Sequence, residues 1–299
     1  GVDGSVQAID ILSDGKILIG GGFTTYAGTT RQSLARLNSD GSLDTSFDSG
    51  LDIYAYVSDI AIQSDGKILI GGSLPPYDST TREGVARLNS NGSLDTSFNS
   101  DFSEYGGVYA IAIQSDGKVV IGGSFYPYAG TPRRAIVRLN SDGSLDTSLN
   151  SVSGANGSIK AIAIQSDGKI VIGGEFTTYS GITRQYIARL KSDGSLDTSF
   201  NSSSGADSPV YILEIQSDGK IVIGGWFTSY AGTTRRGVAR LNSDGSLDTS
   251  FNSSSGVGEE EGVSAIAIQN DGKILIGGEF TTYSGITRQG IARLNSDGS

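Results

Sequence analysis

The sequence predicts an all-β fold, a six-bladed β-propeller with four-stranded antiparallel blades, on three observations. The tripeptide Asp-Gly-Lys opens at Asp14, Asp65, Asp116, Asp167, Asp218 and Asp271, so one unit of about 51 residues recurs through the chain, which marks a repeat architecture. Each unit holds short runs rich in Ile and Val, bounded by Ser, Asp and Gly, which are strand and turn signals. No segment carries an apolar period of 3.6 over ten residues, so no helix is expected.

The repeats run over approximately 1–50, 51–102, 103–154, 155–205, 206–258 and 259–299, with no linker between them, and read as a single domain. In the fourth, the first strand is placed at Ala161–Gln165, the second at Lys169–Gly174, the third at Tyr186–Leu190 and the fourth at Ser195–Phe200. Ser-Asp-Gly between the first two suits a tight hairpin with Gly in the left-handed position. The first two strands are apolar on both faces, as a sheet sandwiched between neighbours requires, and Ala alternating with Ile lets adjacent sheets interdigitate. Four strands in about 50 residues fit a propeller blade. A β-solenoid is the rival architecture, although its repeats are usually shorter and its strands need not return as tight hairpins. The sequence opens on Gly and holds no Met, so a processed chain or an excerpt is expected. It begins within a crossover and stops at LNSDGS. This predicts closure without a swapped strand and a sixth blade that lacks most of its outer strand.

The turn LNSDGSLDTSF from Leu37 superficially resembles a calcium loop, with Asn38, Asp40 and Asp44 spaced as oxygen ligands around Gly41. The first ligand position, however, is Arg36, and its equivalents are Arg87, Arg138, Arg189, Arg240 and Arg293; Lys191 takes a second ligand position in the fourth copy. A cation in every copy argues for a repeated hairpin turn with Asp capping its own backbone. No metal and no cofactor are expected.

The apolar run closed by a Gly pair, ILIGG at Ile17–Gly21 and IVIGG at Ile170–Gly174, resembles the kelch blade plan. The coupled motifs AIAIQSDGKIVIGG from Ala161 and IARLKSDGSLDTSF from Ile187, with Lys191 where Asn is usual, are more similar to the delta-60 repeat, a β-propeller family. The resemblance covers nearly the whole chain. It implies a propeller and a place in large secreted, surface or phage virion proteins, and it supplies no catalytic residues.

Composition narrows function further. There is no Cys and no His, which removes thiol and imidazole catalysis and nearly all zinc chemistry. A net charge of −10 disfavours nucleic acid and anionic membrane surfaces, and the apolar runs are too short to insert in a bilayer.

Variation gathers in the loops after the second strand and in the crossovers between repeats, which an antiparallel blade places at one end. Loops on a rigid scaffold commonly carry binding. The candidate ligand-binding residues are Trp226, Tyr126, Tyr54, Tyr56, Tyr105, Glu175, Glu279 and the run Glu259, Glu260, Glu261. Two columns recur in every repeat and read more readily as structural: Tyr26, Tyr77, Tyr128, Tyr179, Tyr230 and Tyr283, and Arg31, Arg82, Arg133, Arg184, Arg235 and Arg288. The expected function is a non-enzymatic interaction module of an extracellular, cell-surface or virion (tail-fibre) protein, binding a receptor or glycan, or neighbouring domains of a larger assembly. One alternative is a structural spacer in a fibre. The other is a hydrolase or lyase using Asp10 and Glu214, which replace Ala on the first strand.

Overall fold

A computed structural model describes residues 1–75, 84–100, 106–126, 130–151, 153–201, 204–253 and 255–299. The chain divides into two compact units, Gly1–Thr147 and Ser148–Ser299. Each holds three repeats, and no helix occurs among the described residues.

Every repeat builds one three-stranded antiparallel sheet in chain order. In the first unit the sheets are Ser5–Ile11, Ile17–Gly22 and Leu34–Leu37; then Tyr56–Ile62, Ile68–Ser73 and Val85–Leu88; then Val108–Ile113, Val119–Gly123 and Ile136–Leu139. In the second they are Ile159–Ile164, Ile170–Gly174 and Ile187–Leu190; then Val210–Ile215, Ile221–Gly225 and Val238–Leu241; then Gly262–Ile268, Ile274–Glu279 and Ile291–Leu294. The Ser-Asp-Gly hairpin forms as expected: the Gln165 amide donates to Lys169 O at 2.8 Å, and Gly168 takes φ +81°.

Among the described residues the expected fourth strand does not form, which corrects the four-stranded blade. Ser195–Phe200 contributes one isolated bridge, Leu190 to Leu196, and then turns. The cause is Asp197. Its Oδ1 accepts the Ser199 amide at 3.0 Å and the Ser199 hydroxyl at 2.6 Å, and its carbonyl accepts the Phe200 amide at 3.2 Å. Those donors are spent locally and no ladder can extend. The sixth sheet has the same three strands as the rest. Among the described residues, four repeats add a small hairpin after the second strand: Thr25–Tyr26 with Thr29–Thr30, Thr178–Tyr179 with Ile182–Thr183, Ser229–Tyr230 with Thr233–Thr234, and Thr282–Tyr283 with Ile286–Thr287.

Within each unit the core lies between successive sheets, and the Gly pair explains how closely they approach. A Cβ on Gly173 would stand 2.9 Å from Val210 Cγ1 of the next repeat, and one on Gly174 would strike the carbonyl oxygen of Ser158, just before its own first strand. The first Gly therefore admits the neighbouring sheet, and the second admits the bulge that opens each first strand, here between Ile159 and Ala161.

Candidate functional site

The turn that resembled a calcium loop is a latch between repeats. Asp197 Oδ2 accepts the Arg189 Nε–H at 2.9 Å, and the Arg189 guanidinium lies 4.9 Å from the Phe200 ring centroid. Arg189 also donates to the carbonyl oxygen of Ser243, in the next repeat's turn, while the Asn201 amide donates to Asp244 O at 2.6 Å. The same contacts link Arg36 to Asp44 and Ser90, Arg87 to Asp95 and Ser141, and Arg240 to Asp248 and Ser296. Lysine adds a second cation at Lys16–Asp44, Lys67–Asp95 and Lys220–Asp248. Burial alone would raise the Asp197 carboxyl, but the Ser199 hydroxyl and amide and the Arg189 charge outweigh it and hold its pKa at about 2. Each such carboxylate is committed to internal donors.

The Tyr column closes on the same turns. The Tyr179 hydroxyl donates to Gly194 O at 2.9 Å, and Tyr26, Tyr230 and Tyr283 repeat the bond to Gly41, Gly245 and Gly298. Tyr179 and Tyr230 are fully buried, which leaves no ring face for a ligand, and burial pushes the Tyr230 phenol upward. In the Arg column, Arg31, Arg184, Arg235 and Arg288 each donate to the carbonyl of the preceding Thr, and Arg133 is buried. Tyr77, Arg82, Tyr105 and Tyr128 lie outside the described residues.

At the variable end, crossovers and loops are clasped together. Asp3 Oδ1 accepts the amides of Thr24 and Thr25 at 2.8 and 2.9 Å; Asn156 and Asp207 hold Thr177 and Thr228 in the same way. Glu261 takes that role in the sixth repeat, accepting the Thr281 amide and hydroxyl at 3.0 and 2.6 Å and the Gly258 amide at 2.8 Å. Glu259 pairs with Arg236 at 2.5 Å, and Glu260 sits in the turn at φ +63°. The acidic run is thus divided among structural tasks. The clasp residues Asp3, Asn156 and Asp207 were overlooked in the sequence, where the available signal was a Thr about 21 residues downstream of each.

Trp226 and Tyr56 fill seams between repeats. The Trp226 indole, partly exposed, lies over Gly262 of the next repeat, where any Cβ would collide with it. Tyr56 covers Gly22 of the preceding repeat, where a Cβ would stand 2.9 Å from its ring, and its hydroxyl donates to Gln7 Oε1 at 3.2 Å. Glu175 stands 3.6 Å from Lys160 Nζ and accepts the Tyr211 hydroxyl at 3.4 Å; Glu279 is exposed. Among the described candidates the most exposed aromatic rings are Tyr54 at 78% and Tyr126 at 59%, both in the first unit, ahead of Trp226 at 42%.

The first-strand carboxylates have structural neighbours. Asp10 accepts the Ile11 amide at 2.8 Å, and burial raises its pKa against backbone bonds from Ile11 and Ile62. Burial likewise raises Glu214. Asp59, unnoticed in the sequence, accepts the Ile111 amide of the following repeat at 2.6 Å. At the tight-turn end of the second unit, a cleft of about 500 Å³ opens beside Gln165, Asp167, Lys169, Arg189, Gln216 and Asp244. Its cations are already engaged, Lys169 with Asp167 at 2.9 Å and Arg189 in the latch.

Among solved structures, the chain is similar to the extracellular domain of BT4673 from B. thetaiotaomicron, at 14% identity and TM-score 0.57, over 99% of this chain and 35% of that one. It is also similar to virginiamycin B lyase from Staphylococcus aureus, at 15% and 0.55, over 98% of this chain and 82% of that one. PorZ, a surface component of the type-IX secretion system of Porphyromonas gingivalis, matches at 14% and 0.53, over 91% and 37%. At these identities the likeness is one of fold, and the chain spans about a third of the length of the BT4673 extracellular domain. Curated proteins give no match. Among the described residues no helix is long and apolar enough to cross a membrane. The repeated turns and strands on which the latch is built, residues 12–47, 63–98, 114–149, 165–200, 216–251 and 269–299, each match one family, and on that match the chain belongs to the β-propellers described as domain of unknown function DUF5122.

Proposed function

We propose that the chain is a non-enzymatic recognition module of an extracellular, surface or virion protein, and that it binds a receptor or glycan through the loops at its variable end. The observation that carries this is the exposure of Tyr54 and Tyr126. Both stand on loops that differ between copies. Exposed Tyr offers a rigid apolar face with a polar tip, suited to the face of a sugar or to a protein epitope. The extracellular and surface settings of BT4673 and PorZ support the location. The paired motifs of each repeat support assignment to the delta-60 type.

The test is binding of the purified chain to a glycan array and to cell surfaces. Wild type is expected to bind, and Tyr54→Ala with Tyr126→Ala to weaken binding by roughly tenfold or more while leaving thermal stability unchanged. A wild-type chain that binds neither, or a double variant that binds undiminished, overturns the reading.

A further inference from the structure

Asparagine is followed by glycine twice in the chain, Asn91 before Gly92 and Asn156 before Gly157. Both fall where other repeats carry Asp. Asn91 stands in the place of Asp40, Asp142, Asp193, Asp244 and Asp297, and Asn156 in that of Asp3 and Asp207. The two side chains are held differently. Asn156 is clamped to a separate loop: its Oδ1 accepts the Thr177 and Thr178 amides at 2.8 and 2.9 Å, and its Nδ2 donates to Thr177 Oγ1 at 3.0 Å. Asn91 is exposed at the tip of a turn in the second repeat. Its Oδ1 accepts the Ser93 amide at 3.0 Å and the Ser93 hydroxyl at 2.8 Å, and its Nδ2 makes no hydrogen bond among the described residues.

Every group needed for an attack within the turn is available at Asn91. The two donors on Oδ1 draw electron density from Cγ and stabilise the oxyanion that forms there as a nucleophile adds. The leaving group, Nδ2, is free to take a proton from solvent. The nucleophile is Gly92 N, which has no side chain beside it and is restrained by a single turn bond, to Asn89 O at 2.9 Å. At Asn156 the equivalent Cγ cannot swing toward Gly157 N until its bonds to Thr177 and Thr178 are broken.

We propose that Asn91 is a spontaneous modification site, at which the folded chain deamidates. Gly92 N gives up its proton and bonds to Asn91 Cγ, the Cγ–Nδ2 bond breaks, and ammonia leaves with that proton. Water then opens the succinimide. Cleavage between Gly92 N and Cγ gives aspartate on the normal main chain, the residue that the other repeats carry. Cleavage between Gly92 N and the main-chain carbon gives isoaspartate, which inserts a methylene into the main chain. The two products differ in consequence. Aspartate keeps both bonds to Ser93, as Asp142 does with the Ser144 amide and hydroxyl at 2.9 and 2.6 Å. Isoaspartate displaces a turn that the first repeat grips. Arg36 donates to Ser90 O, the Asp48 amide donates to Asn91 O at 3.4 Å, and a Cβ on Gly92 would stand 2.5 Å from Asp48 O. The seam between the first and second repeats therefore loosens as the chain ages.

Peptide mapping by mass spectrometry, during incubation of the folded chain at mildly alkaline pH, tests this. The Asn91 peptide is expected to exchange amide for acid faster than the Asn156 peptide by about tenfold or more. In concentrated urea, with the clasp to Thr177 undone, the two should convert alike. Labelling with an isoaspartyl methyltransferase marks the isoaspartate. The marked fraction should unfold at a lower urea midpoint than the unconverted fraction of the same sample, whereas Asn91→Asp should match the unconverted chain. An Asn91 peptide that converts no faster than the Asn156 peptide in the folded chain, or that converts only in urea, overturns the proposal. An isoaspartyl fraction as stable as the unconverted one overturns the loosening of the seam.

Discussion

At the scale of single residues, the latch arginine carries more than its sequence suggests. Arg189 satisfies a buried carboxylate, covers a Phe ring and grips the next repeat's turn. Removing it leaves Asp197 buried without the guanidinium that pairs with it at 2.9 Å, so Arg189→Ala should destabilise by about 3–5 kcal/mol, read as a lowered urea midpoint. Arg189→Lys should not recover this, since an ammonium cannot serve the carboxylate, the carbonyl and the ring in one plane. The sequence displayed this residue as an obstacle to calcium, and its true partner eight positions on was hidden. Asp44 and its equivalents looked like ligands because a carboxylate in a Gly-Ser turn has the same spelling whether a cation is a metal or a guanidinium.

At the scale of elements, strand positions were legible because β-branched runs and Asp-Gly turns are local signals. The missing fourth strand was not. Ser-Leu-Asp-Thr-Ser-Phe alternates like a strand, and only the Asp197 to Ser199 bonds commit it to a turn. Variable residues were legible as positions but not in their roles, since those depend on the neighbouring repeat. Trp226 faces Gly262, and Gly22 faces Tyr56, so one seam sets its large residue on the earlier sheet and the other on the later. Gly262→Val should therefore destabilise by more than about 1 kcal/mol, and Trp226→Gly in the same chain should recover part of the loss. Chemical denaturation of the two singles and the double closes that cycle. Additive losses would contradict the packing described.

At the scale of the whole chain, repetition multiplies small electrostatic terms. Asp44, Asp95, Asp197 and Asp248 are all held below the ordinary carboxylate pKa of 3.8, Asp197 at about 2. A depressed folded pKa contributes stability that is complete above the unfolded value and is lost as pH falls through the folded one. Stability should therefore decline steeply between about pH 4 and pH 2, followed by circular dichroism during acid titration. Asp10 and Glu214 act with the opposite sign, because burial raises them and their protonation favours the fold. Asp10→Asn with Glu214→Gln should raise the thermal midpoint at pH 7 and leave the acid limb in place.

The pairing of glycine with an aromatic across two seams also bears on how such a chain changes its number of copies. Most seams use interchangeable parts, so gain or loss of a whole repeat by unequal exchange would regenerate the latch at any breakpoint. The exceptions are keyed. Losing the second repeat would set Gly22 against Gly107 and leave a void where Tyr56 had been. Those two seams fix the order of their neighbours, so an array assembled from nearly identical words still has a grammar.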